Sequence, residues 1–303
     1  MELPRPVLGP DYVLIRVAAA GVNPVDWKVR EGRLVSRFPH HFPLILGWDV
    51  SGTVEDVGPA VTRFKPGDEV VAYARKSCVE FGTYAEYVTV LDEAVALAPR
   101  TTDLVAAGAL PLAGLTAWQA ITDALQVRAG EQVVVHGGSG GVGSFAVQLL
   151  VSLGAEALAT ASRANHDYLS NLGAKPLDRH ADITEQVRAL APGGVDAVLD
   201  IAGGPDAVKA SLPLLKDGGR VTSILKPPSL DDEGRRRGLM GRYIFVRPWG
   251  EQLSELVSRV DAGGLNIHLH GTYSLEDAAK AQEELQGGGV RGKLALVVEA
   301  KKR

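Results

Sequence analysis

Val133-Val134-Val135-His136-Gly137-Gly138-Ser139-Gly140-Gly141-Val142-Gly143 runs an apolar, β-branched stretch straight into a glycine-rich turn, and an apolar helix is expected from near Ser144. The valines suit a strand buried on both faces. Gly138, Gly140 and Gly143 have the spacing of a dinucleotide-binding turn. The first allows the tight turn, the second lets a pyrophosphate approach the backbone, and the third lets helix pack on strand. The helix start adds unpaired N–H groups and the positive end of its dipole. A glycine turn with no ligand has the same spacing, so the reading depends on what surrounds it.

Downstream, short apolar runs alternate with helical segments. Expected strands are Gln132 to His136, Ala157 to Thr160, Ala197 to Ile201, Arg220 to Ile224 and Tyr243 to Val246. Between them lie expected helices Ser144 to Leu153, Asn165 to Leu172, Thr184 to Leu190 and Pro205 to Leu215. Such alternation is the mark of βαβ units on a parallel sheet. Upstream, Val13 to Val17, Asp49 to Val54, Glu69 to Tyr73 and Tyr84 to Val88 read as strands, with Lys65-Pro66-Gly67-Asp68 as a turn, so this part is expected to be a small β domain. The tail, with helices Gly250 to Ala262 and Ser274 to Leu285 and the strand Leu294 to Val298, is expected to return to it. The predicted fold class is therefore α/β, a doubly wound parallel sheet inserted in a small β-barrel or sandwich domain. Its boundaries are 1–102 for the first part of the β domain, 103–262 for the sheet and 263–303 for the return segment.

About 20 residues past such a loop, a carboxylate holds the ribose of NAD, whereas a 2′-phosphate calls for neutral or basic groups. Here Ser162 stands at that place with Arg163 beside it. An arginine can grip a phosphate bidentately, so NADPH is the expected cofactor, bound by Gly138, Ser139, Gly140, Gly141, Val142, Gly143, Ser162 and Arg163. Arg163 as an exposed loop residue is the bland alternative.

The balance of 32 basic and 36 acidic residues, a formal charge of -4, offers no positive field for nucleic acid. The apolar stretches at 104–118 and 145–161 are broken by Pro111, Gln148 and Glu156, against a membrane span. Met1-Glu2-Leu3-Pro4-Arg5-Pro6 lacks the apolar core of a signal peptide, so a cytoplasmic protein is expected. Cys78 is the only cysteine, which rules out an internal disulfide and a site of several thiolates. The pair His40-His41, His136, and His268 with His270 read as structural, and no metal is expected. Arg235-Arg236-Arg237 reads as a solvated loop, or less simply as a holder of an anion.

Ala20-Gly21-Val22-Asn23-Pro24-Val25-Asp26, Gly47-Trp48-Asp49-Val50-Ser51-Gly52, Pro66-Gly67-Asp68-Glu69-Val70, Leu115-Thr116-Ala117-Trp118, the glycine loop and Gly292-Lys293 occur in this order along nearly the whole chain. Together they resemble the zinc-independent quinone reductases of the medium-chain dehydrogenase/reductase superfamily. The resemblance implies a GroES-like domain made from both chain ends, a Rossmann domain between them and NADPH in the cleft. Members of that family carry two further strands before the point where Met1 begins, so the barrel is expected to be N-terminally short, and the resemblance implies a homodimer pairing through Arg242 to Arg247. In the similar zinc alcohol dehydrogenases a cysteine stands at the place of Asn23 and a Gly-His-Glu triplet at that of Gly47-Trp48-Asp49. Neither Asn23 nor Trp48 can serve as those zinc ligands. The resemblance puts Asn23 near the nicotinamide, with Tyr73 as a second candidate donor to a developing oxyanion, and Thr116 and Lys293 as cofactor neighbours. Asn23 before Pro24 can also be conformational, and Asp26 reads as a hydrogen-bond acceptor. The expected reaction is hydride transfer from NADPH to a quinone. Reduction of an enone, alkenal or enoyl thioester is the alternative enzyme reading. A non-catalytic NADPH-binding protein of crystallin-like type is the alternative outside enzymology.

Overall fold

The structure, a computed structural model, describes residues 3–298. Met1-Glu2 and residues 299–303, the outermost parts of the first and last expected segments, lie outside the described residues. The strands in chain order are β1 (Tyr12–Val22), β2 (Asp49–Val57), β3 (Glu69–Tyr73), β4 (Tyr87–Leu91), β5 (Val95–Leu97), β6 (Gln132–His136), β7 (Glu156–Ala161), β8 (Lys175–Asp178), β9 (Val195–Asp200), β10 (Leu215–Ser223), β11 (Met240–Tyr243), β12 (Leu269–Ser274) and β13 (Lys293–Val297). The chain divides into two compact units, one containing residues up to Leu115 together with those from Arg247 on, the other Thr116–Val246.

In the first unit a seven-stranded sheet runs β12-β13-β1-β2-β3-β5, with β4 also paired to β1. The 11-residue β1 reaches three partners because its pairing to β2 shifts register twice, at Leu14/Ile15 and Val17/Ala19. Such bulges bend a strand and raise its twist. Tyr12–Arg16 then pair with β4 and Ala19–Val22 with β13. Inward residues of several strands, among them Val13, Ile15, Val50, Val70, Val88 and Val95, form one buried core.

The second unit holds a six-stranded, all-parallel sheet in the order β11-β10-β9-β6-β7-β8. Valines 133, 134 and 135 and residues 197–199 are fully buried, as central parallel strands require. From β6 the chain winds out through β7 to β8, then returns to lay β9 on the other side of β6. The strand order therefore reverses between β6 and β9, and ligands of open α/β sheets bind at the carboxyl ends of strands at such a point. The α/β architecture expected from the sequence is observed, with the parallel sheet inserted in a β domain built from both ends.

Several elements differ in extent. The units divide at 115/116 and 246/247, where the sequence boundaries were 102/103 and 262/263. Two helices account for the shift. Leu112 N–H donates to Asp49 Oδ1 at 2.6 Å, fastening the start of helix Pro111–Trp118 to the β domain. The helix Gly250–Asp261 packs on β5, and the backbone N–H groups of Arg100 and Thr101 donate to Asp261 Oδ1. Strand β8 was not foreseen: Lys175-Pro176-Leu177-Asp178 has no apolar alternation, and its proline suits the sheet edge it occupies. The last parallel strand is Met240–Tyr243 rather than Tyr243 to Val246, and β4 is Tyr87–Leu91 rather than Tyr84 to Val88. The arginine run ends a short helix and is internally paired, Arg235 to Asp232, Arg236 to Glu233 and Arg237 to Asp217.

Candidate functional site

Gly137–Gly143 leaves β6 and enters helix Gly141–Ser152. Backbone conformation and close approach explain its glycines. Gly137 has φ +90°, in the left-handed region, and a Cβ there would come within 2.7 Å of Ala202 Cβ in the segment after β9. A Cβ on Gly138 would lie 2.6 Å from Ala159 Cβ of β7, and one on Gly143 would press into the Gly137 carbonyl oxygen. At Gly140 the reverse holds, since a Cβ would meet only Gly137 O at 3.7 Å. That side of the loop is open, and hydrogen alone leaves it approachable.

Gly140 caps the helix without a side-chain hydrogen bond, and no acidic residue sits in the first turn. The orphan N–H groups of Gly141, Val142 and Gly143 thus have a positive dipole end and no competing carboxylate on their own turn. Strand β7 holds the loop from behind: Gly137 N donates to Thr160 Oγ1 at 3.0 Å and Gly138 N to Thr160 O at 2.9 Å. Asn165 Nδ2 reaches Ser139 Oγ at 3.3 Å and Ser162 Oγ at 3.4 Å, joining the loop to the turn after β7. In that turn Arg163 Nε donates to Asp178 Oδ2 at 2.6 Å while its side chain stays 83% exposed. One nitrogen anchors the guanidinium and the rest faces solvent.

At the reversal of strand order, Asp200 ends β9 fully buried. Its Oδ1 accepts from Gly203 N at 2.8 Å and Gly204 N at 3.0 Å, and its Oδ2 from Ser223 Oγ at 2.8 Å. One carboxylate thereby fixes the turn after β9 and the end of β10. His136 is buried at the end of β6, with Nε2 2.9 Å from Ser211 Oγ. The Ser211 hydroxyl itself donates to Ala207 O, so the imidazole is the donor. Burial holds His136 below the usual histidine range.

The first unit contains a buried polar cluster. Asn23 caps helix Pro24–Arg30: its N–H donates to Asp26 Oδ2 at 2.7 Å, and the Asp26 N–H donates to the Asn23 main-chain oxygen at 3.0 Å. Tyr84 hydroxyl also donates to Asp26 Oδ2, at 2.9 Å. Asn23 Nδ2 donates to Asp49 Oδ2 at 2.8 Å and to Gly21 O at 3.3 Å. Lys293 Nζ donates to Asn23 Oδ1 and to Val22 O, and lies 3.6 Å from Asp49 Oδ2. Burial dominates the titration here. It pushes the Asp26 carboxyl up to about 7, raises that of Asp49 and lowers the Lys293 ammonium, against the opposing pull of the pairing.

The remaining expected site residues are placed as follows. Asn23 is 2% exposed, its amide nitrogen donating to Asp49 and Gly21 and its amide oxygen accepting from Lys293. Tyr73 is 1% exposed, set edge-on against Trp48 with the Arg75 guanidinium 5.9 Å from its ring centre. Trp48 is buried between Phe38 and Tyr73. Thr116 is buried at the start of the second unit, and Lys293 is 4% exposed within the Asn23 cluster. Sequence reasoning brought together the loop residues, Ser162 and Arg163, and missed Thr160, Asn165, Asp178, Asp200 and Asp49. For Asp200 a signal existed: an acid closing the apolar run Val195–Leu199, with Gly203-Gly204 just beyond.

Comparison with known proteins adds the following. Residues 9–100 match the alcohol dehydrogenase GroES-like domain, and residues 172–296 match the family described as zinc-binding dehydrogenase. A probable quinone oxidoreductase of Schizosaccharomyces pombe is 32% identical, over 98% of this chain and 91% of its own. The 2-methylene-furan-3-one reductase of Solanum lycopersicum is 33% identical, over 96% of this chain and 73% of its own. An alcohol dehydrogenase superfamily protein from Novosphingobium aromaticivorans superposes with a TM-score of 0.90 at 32% identity, covering 99% of this chain and 95% of that one.

Proposed function

The chain belongs to the medium-chain dehydrogenase/reductase family, and from that premise we propose that it is an NADPH-dependent oxidoreductase that reduces quinones without zinc. The observation that carries the reading is the open glycine loop at the reversal of strand order, with exposed, singly anchored Arg163 on the adjoining turn. The N–H groups of Gly141, Val142 and Gly143 bind the pyrophosphate, and Ser139 and Ser162, joined by Asn165, line the path to the ribose. Arg163 takes the 2′-phosphate; its anchor to Asp178 leaves the terminal nitrogens for that contact.

Bound NADPH supplies the hydride. A quinone accepts it and delocalises the charge over its ring, and water supplies the proton of the hydroquinone, so no side chain need act as acid. The buried, committed Asn23 and Tyr73 then shape the β domain. Zinc catalysis is disfavoured by residue chemistry, since an amide tied to Asp49 and Lys293 and an indole packed between two aromatic rings stand where the similar zinc enzymes carry ligands. The name of the tomato relative supports a second reading, reduction of an enone.

Following loss of nicotinamide absorbance with 9,10-phenanthrenequinone, 1,4-benzoquinone and a simple enone, with and without chelator, tests this. Chelator-resistant oxidation fastest with a quinone is expected. Preference for the enone moves the assignment to the second reading, and tight NADPH binding with no turnover on any acceptor refutes both.

A further inference from the structure

Among the described residues, one group of metal-ligating side chains comes together outside the Asn23 cluster: His41, Cys78 and Glu80. The local backbone explains why. Val79 N donates to Pro39 O at 2.8 Å and His41 N donates to Val79 O at 3.0 Å, with His40 and Val79 paired as an isolated bridge. Two segments far apart in sequence are thus held side by side. Val79 is buried, so the alternation of extended chain turns its neighbours Cys78 and Glu80 the other way, beside His41. One ligand atom from each of the three lies within 4.8 Å of the others, and His41 Nδ1 is 3.0 Å from Glu80 Oε2. His40, by contrast, turns its Nδ1 to Phe38 O at 2.8 Å and takes no part.

We propose that His41, Cys78 and Glu80 bind one divalent ion of the zinc class, clipping the segment around His41 to that around Val79. An imidazole nitrogen, a thiolate and a carboxylate form a borderline-soft set that suits Zn²⁺, and three protein ligands leave a fourth position for water. Zinc bonds of about 2.0–2.3 Å bring tetrahedral ligand atoms to roughly 3.3–3.8 Å of one another, so closure needs a shift of about 1 Å in side chains that are only partly buried. The thiol loses its proton on binding and the imidazole enters neutral, so one proton is released per ion and one S–M, one N–M and one O–M bond form. Burial and the neighbouring Glu80 carboxylate raise the Cys78 thiol against the weaker pull of the Lys76 ammonium, and a bound cation reverses that balance. The site is separate from Asn23 and Trp48, and it stands whether or not the NADPH reading does.

Metal-free full-length protein titrated with Co²⁺ as an optical probe tests the site. The expected result is a near-ultraviolet thiolate-to-cobalt band that saturates at one equivalent and is displaced by Zn²⁺. It disappears in Cys78→Ser, and Co²⁺ affinity falls by at least about tenfold in both His41→Ala and Glu80→Gln, with circular dichroism of all variants unchanged. No band in the parent protein, saturation away from one equivalent, or unchanged affinity in either His41→Ala or Glu80→Gln would overturn the proposal.

Discussion

The phosphate loop at Gly137–Gly143 and the polar cluster around Asn23 are built in opposite ways. The loop belongs to contiguous chain, and its function comes from backbone: a left-handed glycine, close approaches at Gly138 and Gly143, an open face at Gly140 and free N–H groups. The cluster draws on β1 and its following helix, β2, the approach to β4, and β13, so residues 270 positions apart meet through Asn23 and Lys293. There the work is done by side chains that compensate one another away from water. A backbone site fails when a side chain is added, and a side-chain cluster fails when one is removed.

Lys293→Met should have the largest effect on stability. It leaves Asp49 and Asp26 buried without their cation, a loss of about 3–5 kcal/mol, and Asp49→Asn on the same background should return part of it. Denaturant melts of the four proteins of that cycle measure the coupling. Additive losses would show that the cluster is a set of independent contacts.

Gly143→Ala tests the other half. The added methyl meets backbone that cannot swing away, so NADPH affinity should fall about a hundredfold, about 2.7 kcal/mol, as read by fluorescence titration. Near-normal affinity would mean that the loop is not the phosphate site. Arg163→Ala should act more narrowly, lowering NADPH affinity about tenfold, about 1.4 kcal/mol, while NADH is unaffected.

The smallest change, Asp26→Asn, is informative through its pH dependence. Asp26 has its folded pKa raised from 3.8 to about 7. Below 3.8 the carboxyl is neutral in both folded and unfolded chains and its contribution is fully present. As pH rises towards 7 the unfolded chain releases the proton first, and that contribution is lost. Asparagine can still accept from Asn23 N–H and the Tyr84 hydroxyl, so the variant should match the parent near pH 4 and lose less stability between pH 4 and 7. Parallel stability curves would place the raised acid elsewhere, with Asp49 and Lys293 the adjoining titrating groups.

The same contrast explains what could be read in advance. Valines 133–135, the glycine spacing and Ser162-Arg163 are local patterns with local causes, and they located the loop and the inserted parallel sheet. Strand β8 is four residues with a lysine, a proline and an acid, so periodicity hid both the strand and Asp178, the anchor of Arg163. Nothing local in the sequence shows that Asp49 and Lys293 meet the Asn23 amide or that Arg75 lies beside the Tyr73 ring. The helices from Pro111 and Gly250 join the β domain through long-range contacts such as Leu112 to Asp49 and Thr101 to Asp261, which composition does not register.

The central claim, that the glycine loop and the turn carrying Arg163 form an NADPH site, is tested most directly by titrating the purified protein with NADPH and NADH under identical conditions and following nicotinamide fluorescence. The account predicts saturable binding of both, with NADPH tighter by about tenfold or more. Equal affinity, tighter NADH, or no saturable binding of either would contradict it.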